Sequence, residues 1–346
     1  MKFSAMYHLG NPHLRPSVEL FDRAFEQIEL LKDIFDGVWC TEHHFSNFGL
    51  IGSPLIFLTK VATMAPRLRV GPAVLVLPIW QSPVRLAEEL GTLDTITHGR
   101  LDVGIGRGYQ AHEYGGYGVA AAESRDRFNE VHEILIRTWT QEDWTFTGKY
   151  YQITEPVTLE PRPLQQPHPP IWVAAHSPET IEFAARYGYH LMQGGQTAGP
   201  VELAEVRRDY DERLRSHGYD PATRELFCNR MVYCTEDPKE AEAALEWGWW
   251  RIRQAQYMHV AECQVERGLI DASSYDYPFS SAAVERVMIV GSPERCAARI
   301  RELSGSGVTY VNCNFDIEVV ARDRVLESVR LFVDEVLPRV QPAGVR

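Results

Sequence analysis

Long apolar runs are missing from this chain. No stretch of about 18 consecutive apolar residues occurs, so no membrane-spanning helix is expected. The first residues, Met1-Lys2-Phe3-Ser4-Ala5-Met6-Tyr7, enter what reads as a strand without the regions of a secretory leader. Paired cysteines are missing as well. Cys40, Cys228, Cys234, Cys263, Cys296 and Cys313 form no CxxC pair and have no histidines at zinc-ligand spacing. Their scatter argues against a disulfide framework or a structural metal and for reduced thiols in a soluble, cytoplasmic protein. Positive charge is in short supply: 35 Lys and Arg stand against 47 Asp and Glu, a formal net charge of −12. Such a surface repels nucleic acid and anionic membrane. No GxGxxG fingerprint follows a first strand with an acidic residue at the usual distance, which argues against a nicotinamide site of the Rossmann kind.

What is present is rhythm. Short apolar runs bounded by turn residues alternate with stretches of helical period, the signature of repeated βα units. Eight strands are predicted, over 2–7, 37–40, 69–77, 101–106, 171–175, 190–193, 226–234 and 309–315. Helical stretches fall at 18–34, 83–97, 124–139, 178–187, 201–216 and 293–303, several opening with Ser-Pro or with Pro in the first turn. With 346 residues, no internal repeat and no low-complexity segment, the expectation is an α/β fold: one (β/α)8 TIM barrel over residues 1–346. Two segments depart from the rhythm. Residues 141–170 carry six prolines between Pro156 and Pro170 and predict an extended surface excursion. Residues 256–286 hold few periodic apolar positions and predict a long loop, which in a compact barrel is usually functional.

A barrel of this kind places its chemistry just after the strands. After the second strand comes Thr41-Glu42-His43-His44-Phe45. His43 and His44 are candidates for a general base, a donor to an anionic intermediate, or a metal pair. Neighbours on an extended segment point apart and no third ligand follows, so metal binding is disfavoured. The bland alternative is a buried histidine hydrogen-bonded to backbone. The fourth strand runs into Gly104-Ile105-Gly106-Arg107-Gly108-Tyr109, where glycines admit a ligand and Arg107 can offer its fork to a phosphate. Ser124-Arg125 supplies a second cation. Ala175-His176-Ser177-Pro178-Glu179-Thr180 reads as a strand end followed by an N-capped helix with free N–H groups. Two arginines and a helix start suit a phosphate dianion, though Ser177 could simply cap its helix. Gly71-Pro72-Ala73-Val74 gives the third strand small residues, which leave room for a flat ring or only for barrel packing.

These strings resemble those of the bacterial luciferase-like flavin monooxygenases, closest to that family's α-subunit pattern. The likeness lies in Met1-Lys2-Phe3, Glu42-His43-His44-Phe45 with Phe48-Gly49-Leu50, Val76-Leu77-Pro78, Pro83-Val84-Arg85, Gly99-Arg100-Leu101, Gly104-Ile105 with Arg107-Gly108, Ser124-Arg125 and the turn at Ser177. It covers roughly the first half of the chain. The resemblance implies that His43, with His44 beside it, is the catalytic histidine. It implies that Arg107, Arg125, Ser177 and Thr180 hold the FMN phosphate, with backbone of Tyr109 and His176, and that Ala73-Val74 forms a cis peptide beneath the flavin. It further implies an FMNH2- and O2-dependent monooxygenase acting through a flavin C4a-hydroperoxide on a small apolar organic substrate, without a metal. The reduced flavin would come from a separate NAD(P)H-dependent reductase, and the 256–286 loop would shield the intermediate. The family's pairing through early helices implies a homodimer over residues 53–63 and 83–93. Gly106 stands where light-emitting members carry a reactive cysteine and His176 where they carry a glutamate, so a substrate of its own is expected. Trp80, Tyr109, Gln193, Trp247, Trp250 and Tyr257 are candidate pocket residues. A deazaflavin-dependent oxidoreductase on the same barrel and a non-catalytic flavin carrier are the rival readings; the Glu-His-His-Phe string argues for FMN.

Overall fold

In the computed structural model, which describes residues 1–193, 198–260, 263–276 and 281–341, the predicted strands close into a parallel barrel. They are β1 (Lys2–Tyr7), β2 (Gly37–Cys40), β3 (Arg69–Pro72, resumed as Leu75–Val76), β4 (Val103–Gly106), β5 (Ile171–Ala174), β6 (His190–Gln193), β7 (Leu226–Cys234) and β8 (Tyr310–Asn314). Each pairs with the next, and β8 returns to β1 with Tyr310 opposite Lys2. Closure runs through the broken third strand: Val70 bridges to Leu101, and Leu75 and Val76 lie opposite Ile105 and Gly106. A further short strand, Ile289–Gly291, which the sequence did not suggest, pairs with the end of β7.

Strands covered on both faces are apolar throughout, and all nine residues of β7 are buried. Inside the barrel, Met6, Trp39, Trp172, Met192, Phe227 and Tyr310 form one cluster, with Trp39 at 5.4 Å from Trp172 and 5.3 Å from Phe227 between ring centres. Gly71 makes room for it, since a Cβ there would lie 2.4 Å from the Trp39 ring. At the N-terminal end Arg69 forks onto Asp102 at 2.7 and 2.9 Å, and Asp102 also accepts from Trp172 Nε1 at 3.2 Å. The helices start where sequence chemistry dictates. Ser82, Ser177, Ser292 and Asp237 each cap a helix whose first residue is proline.

The two irregular segments hold more structure than their sequence suggests. Within 141–170, Trp144–Thr147 and Gln152–Val157 form an antiparallel hairpin ahead of the proline-rich stretch. In 256–286 the expected loop is shorter. The preceding helix, Pro238–Tyr257, reaches into it, Val265–Glu266 pairs with Leu269–Ile270, and Ser281–Val287 is helical; positions 261–262 and 277–280 lie outside the described residues. Tertiary contacts hold this hairpin: the Asn47 N–H donates to the Gly268 carbonyl at 2.7 Å, and Asn47 Oδ1 accepts from the Ile270 N–H at 3.0 Å. Among the described residues no helix is long and apolar enough to cross a membrane.

Candidate functional site

Residues following the ends of the strands enclose a cavity of about 730 Å³. One end is cationic. Arg107, just beyond β4, is fixed by a 3.1 Å bond from its guanidinium to Ser124 Oγ at the start of the helix Ser124–Thr140. Arg125 follows on that helix and makes no hydrogen bond or ion pair among the described residues. Across from them Ser177 caps the helix Pro178–Arg186, its Oγ 2.8 Å from Thr180 Oγ1 and accepting from the Thr180 N–H at 3.4 Å. Two exposed guanidinium groups, two hydroxyls and a helix N-terminus lining one cavity fit a dianion, because each offers donors or positive field.

Between the ends lies a bed of small residues. A cis peptide joins Ala73 and Val74, as the resemblance implied. A Cβ on Gly106 would fall 2.5 Å from Val74 Cγ2, and Gly108 combines φ of +77° with a Cβ position 2.6 Å from Val76 Cγ1. Only glycine lets this turn press against residues 74–76. A cysteine at 106 would force Val74 to move. Glu42 secures the resumed third strand by accepting from the Val76 N–H at 2.5 Å.

His43 stands beside this bed. Its Nδ1 is 3.1 Å from Glu113 Oε1 and 2.9 Å from Gln110 Nε2, and the same Glu113 oxygen accepts from the His44 N–H at 2.8 Å. Burial pushes the Glu113 carboxyl up, but His43 and the His44 N–H outweigh it and hold it below its ordinary value. An ionised partner at Nδ1 favours the ring proton there, with the Gln110 amide turned to present its otherwise unpartnered oxygen, and leaves Nε2 as the acceptor. His43 also packs against His8 and Phe48, at 4.8 and 4.9 Å between ring centres. Tyr109 lies flat on His259, with rings 4.0 Å apart and 10° from parallel, so the segment after Pro238–Tyr257 touches the glycine turn over the cavity.

The opposite end is ionic, with Glu318 buried and His8, Asp316 and Arg251 half-buried. His8 follows β1, Asp316 and Glu318 follow β8, and Arg251 enters from the helix Pro238–Tyr257. Arg251 donates to the Phe48 carbonyl at 3.1 Å and to Gln254 Oε1 at 2.8 Å, and lies 4.3 Å over the Phe48 ring. Burial, then Arg251 and His43, hold His8 well below the usual imidazole range. Burial, then Asp316, push Glu318 up to about 8.

Nine of the ten candidate residues read from sequence line this cavity: His43, Ala73, Val74, Arg107, Tyr109, Arg125, His176, Ser177 and Thr180. His44 does not. Its ring is held between Tyr117 Oη at 3.0 Å and Glu42 Oε1 at 3.4 Å. Of the candidate pocket residues, Tyr109 and Trp247 line the wall, whereas Trp80, Gln193, Trp250 and Tyr257 are not part of it. Sequence reasoning passed over Glu113, His8, Arg251, Asp316 and Glu318. His8, Asp316 and Glu318 follow strand ends and the strand-end rule reaches them. Glu113 sits on a six-residue helix, Ala111–Gly116, too short to show a period. Among the described residues no group of three or more His, Cys, Asp or Glu is arranged to hold a metal ion.

Known proteins resemble this chain over most of its length. Residues 2–310 match the family model of luciferase-like monooxygenases. The oxygenase component of the flavin-dependent trigonelline monooxygenase of Acinetobacter baylyi is 27% identical over 350 residues, spanning 98% of this chain and 95% of that protein. The crystal structure of monooxygenase RslO1 from Streptomyces bottropensis superposes with a TM-score of 0.85 at 28% identity, covering 99% of this chain and 100% of that one. Two more distant structures share the fold. The oxygenating constituent of 3,6-diketocamphane monooxygenase from Pseudomonas putida, in complex with FMN, has a TM-score of 0.80 at 21% identity over 99% of each chain. An F420-dependent secondary alcohol dehydrogenase with an F420-acetone adduct has 0.77 at 17% over 98% of this chain and 99% of that one.

Proposed function

The chain belongs to the luciferase-like monooxygenase family, and from that premise we propose that it is the FMN-dependent oxygenase component of a two-component system. Reduced FMN, made by a separate NAD(P)H-dependent reductase, supplies when bound the two electrons with which O2 is split, one oxygen atom passing to a small organic substrate and the other leaving as water. Arg107 and Arg125, with the hydroxyls of Ser177 and Thr180 and backbone of Tyr109 and His176, hold the phosphate. Ala73 and Val74 support the ring. His43 offers Nε2 toward the cavity as hydrogen-bond partner or base, and Glu113 keeps its ring proton on the far nitrogen. The Tyr109–His259 stack covers the site and limits water entry.

The observation that carries this reading is convergence: the cationic cradle and the Glu113-backed His43 line one cavity. An anion store needs the first alone and a buried structural histidine needs neither. The test mixes the protein with reduced FMN and ¹⁸O2 in the presence of aldehyde, ketone and terpene substrates. Label in an organic product is the expected result. Hydride transfer without oxygen from a reduced deazaflavin, with no oxygen uptake from FMNH2, would overturn the proposal in favour of the chemistry named for the more distant F420-dependent neighbour.

A further inference from the structure

The acidic end of the cavity contains groups that the reaction as described does not use. Glu318 is 0% exposed and lines the cavity, yet among the described residues neither carboxylate oxygen has a hydrogen-bond partner. Nor does any described cation reach it within ion-pair distance. Arg15 donates only to the Glu318 backbone carbonyl, at 3.2 Å. Arg251 gives one N–H of each terminal nitrogen to Gln254 and to the Phe48 carbonyl. Asp316 beside it is served by the backbone N–H groups of Leu9 and Gly10. Three more atoms of cavity-lining residues lack partners among the described residues: Thr41 Oγ1, Asn229 Oδ1 and His8 Nε2.

A buried polar atom left without a partner costs free energy comparable to a lost hydrogen bond, and such atoms in native proteins are normally satisfied. The inventory here is lopsided once Glu318 is ionised: both its oxygens and Asn229 Oδ1 are then acceptors, whereas the protonated carboxyl keeps one O–H to donate. A molecule that completes this surface must bring donors. A carboxylate would instead meet the carboxylates of Glu318 and Asp316, and Arg251 has two of its five N–H donors engaged. The surrounding wall, with Met231, Trp247 and Ile252, is apolar. Phe48 joins this end to the reaction centre, 4.9 Å from the His43 ring and 4.3 Å beneath Arg251.

We propose that this end of the cavity is the substrate's head-group subsite, where Glu318 recognises a hydrogen-bond donor, a hydroxyl or an amine, carried on an otherwise apolar molecule. The assignment rests on the phosphate end belonging to FMN, which leaves the acidic end to the substrate. It makes Glu318 a specificity residue: an apolar molecule without a donor fits the walls but leaves the carboxylate buried and unpaired.

The experiment titrates four probes of similar size, benzyl alcohol, benzylamine, anisole and benzoate, at pH 9, where the Glu318 carboxyl has lost its proton, into FMN-loaded wild-type protein, Glu318→Gln and Glu318→Leu, followed by calorimetry. Because the Glu318 side chain makes no hydrogen bond that the fold would lose, both variants are expected to fold; circular dichroism checks this. In wild type one or both donor probes bind about ten-fold or more tighter than anisole, and benzoate binds weakest, as expected for one hydrogen bond to a charged group. The alcohol and amine arms tell the two head groups apart. In Glu318→Leu the preference shrinks to within about two-fold while FMN affinity stays unchanged. Tightest binding by benzoate, equal binding of all four probes, or an intact preference in Glu318→Leu overturns the proposal. Loss of FMN affinity in Glu318→Leu with the probe order preserved also overturns it, by assigning the carboxylate to the flavin. Failure of wild type to take up FMN defeats the cofactor reading instead, and the same probes titrated into the protein alone then decide the head-group preference.

Discussion

Replacing Glu113 by glutamine tests whether His43 works alone or through its buried partner. Glu113 Oε1 meets two groups, Nδ1 of His43 at 3.1 Å and the N–H of His44 at 2.8 Å, in a side chain only 2% exposed. Glutamine keeps the shape, and its carbonyl can still accept from the His44 N–H. What disappears is the negative charge that favours a proton on Nδ1. One charge-assisted bond of this kind is worth about 1.5–3 kcal/mol. If all of it serves to orient His43 and set its tautomer, turnover falls roughly ten- to hundred-fold. His43→Ala should lose more, ~10²–10⁴, as for removal of a general acid–base group, with oxygen still consumed but released as hydrogen peroxide. Adding Glu113→Gln to His43→Ala should then cost nothing further, since two residues acting as one unit are not additive. The assay is rapid mixing of FMNH2-loaded protein with O2 and whichever aldehyde, ketone or terpene the wild type oxidises, reading product and peroxide. FMN affinity should stay within about two-fold throughout. Wild-type turnover and coupling in Glu113→Gln, with His43→Ala still impaired, would refute the dependence of His43 on Glu113.

Arg107→Ala should raise the FMN dissociation constant roughly ten- to hundred-fold without unfolding the barrel, because the side chain is exposed and bonded only to Ser124 Oγ; an unchanged titration moves the phosphate elsewhere. Stability should depend on pH through Glu318, whose carboxyl is raised from 4.5 to about 8, so that within this window the folded chain keeps a proton the unfolded chain releases. The wild type therefore loses stability as pH rises through the window, by at most about 1.4 kcal/mol per pH unit. Glu318→Gln should show a flatter melting profile, and parallel profiles would exclude this origin. We also expect a homodimer at micromolar concentration through the helices Pro54–Met64 and Pro83–Ile96, which pack together and leave Ile56 74% and Ile96 47% exposed; sedimentation as a monomer removes this expectation.

The barrel was legible because its strands are short apolar runs and its helices begin with Ser-Pro or Asp-Pro, two signals that depend on local chemistry alone. The cationic cradle was legible for a similar reason. Arg107 follows a strand, Arg125 opens a helix and Ser177 joins a strand to a helix, and a βα barrel gathers such positions at one end. The cis peptide at Ala73-Val74 came only from resemblance, since no propensity marks a non-proline cis bond. The 265–270 hairpin was hidden because Asn47, more than two hundred residues away, supplies its anchoring bonds. Glu113 and Arg251 were hidden in another way. A lone charge on a helix reads as solvated surface, and only packing reveals that Glu113 faces His43 and that Arg251 lies over Phe48.

The two ends of the cavity also bear on which way a flavin can lie. The chain as a whole carries −12, yet Arg107 and Arg125 stand together at one end while Asp316 and Glu318 lie at the other. A phosphate dianion bound in reverse would sit beside these two acids. Like charges about 4 Å apart at an effective dielectric near 20 repel by roughly 4 kcal/mol each pair, before the lost contacts with the arginines are counted. Protonation of Glu318 softens this repulsion. If FMN is the cofactor, as proposed, the charge pattern favours one orientation of it, phosphate toward the cradle. In that orientation the acidic end stays open for the substrate, with His43 and Phe48 between the two.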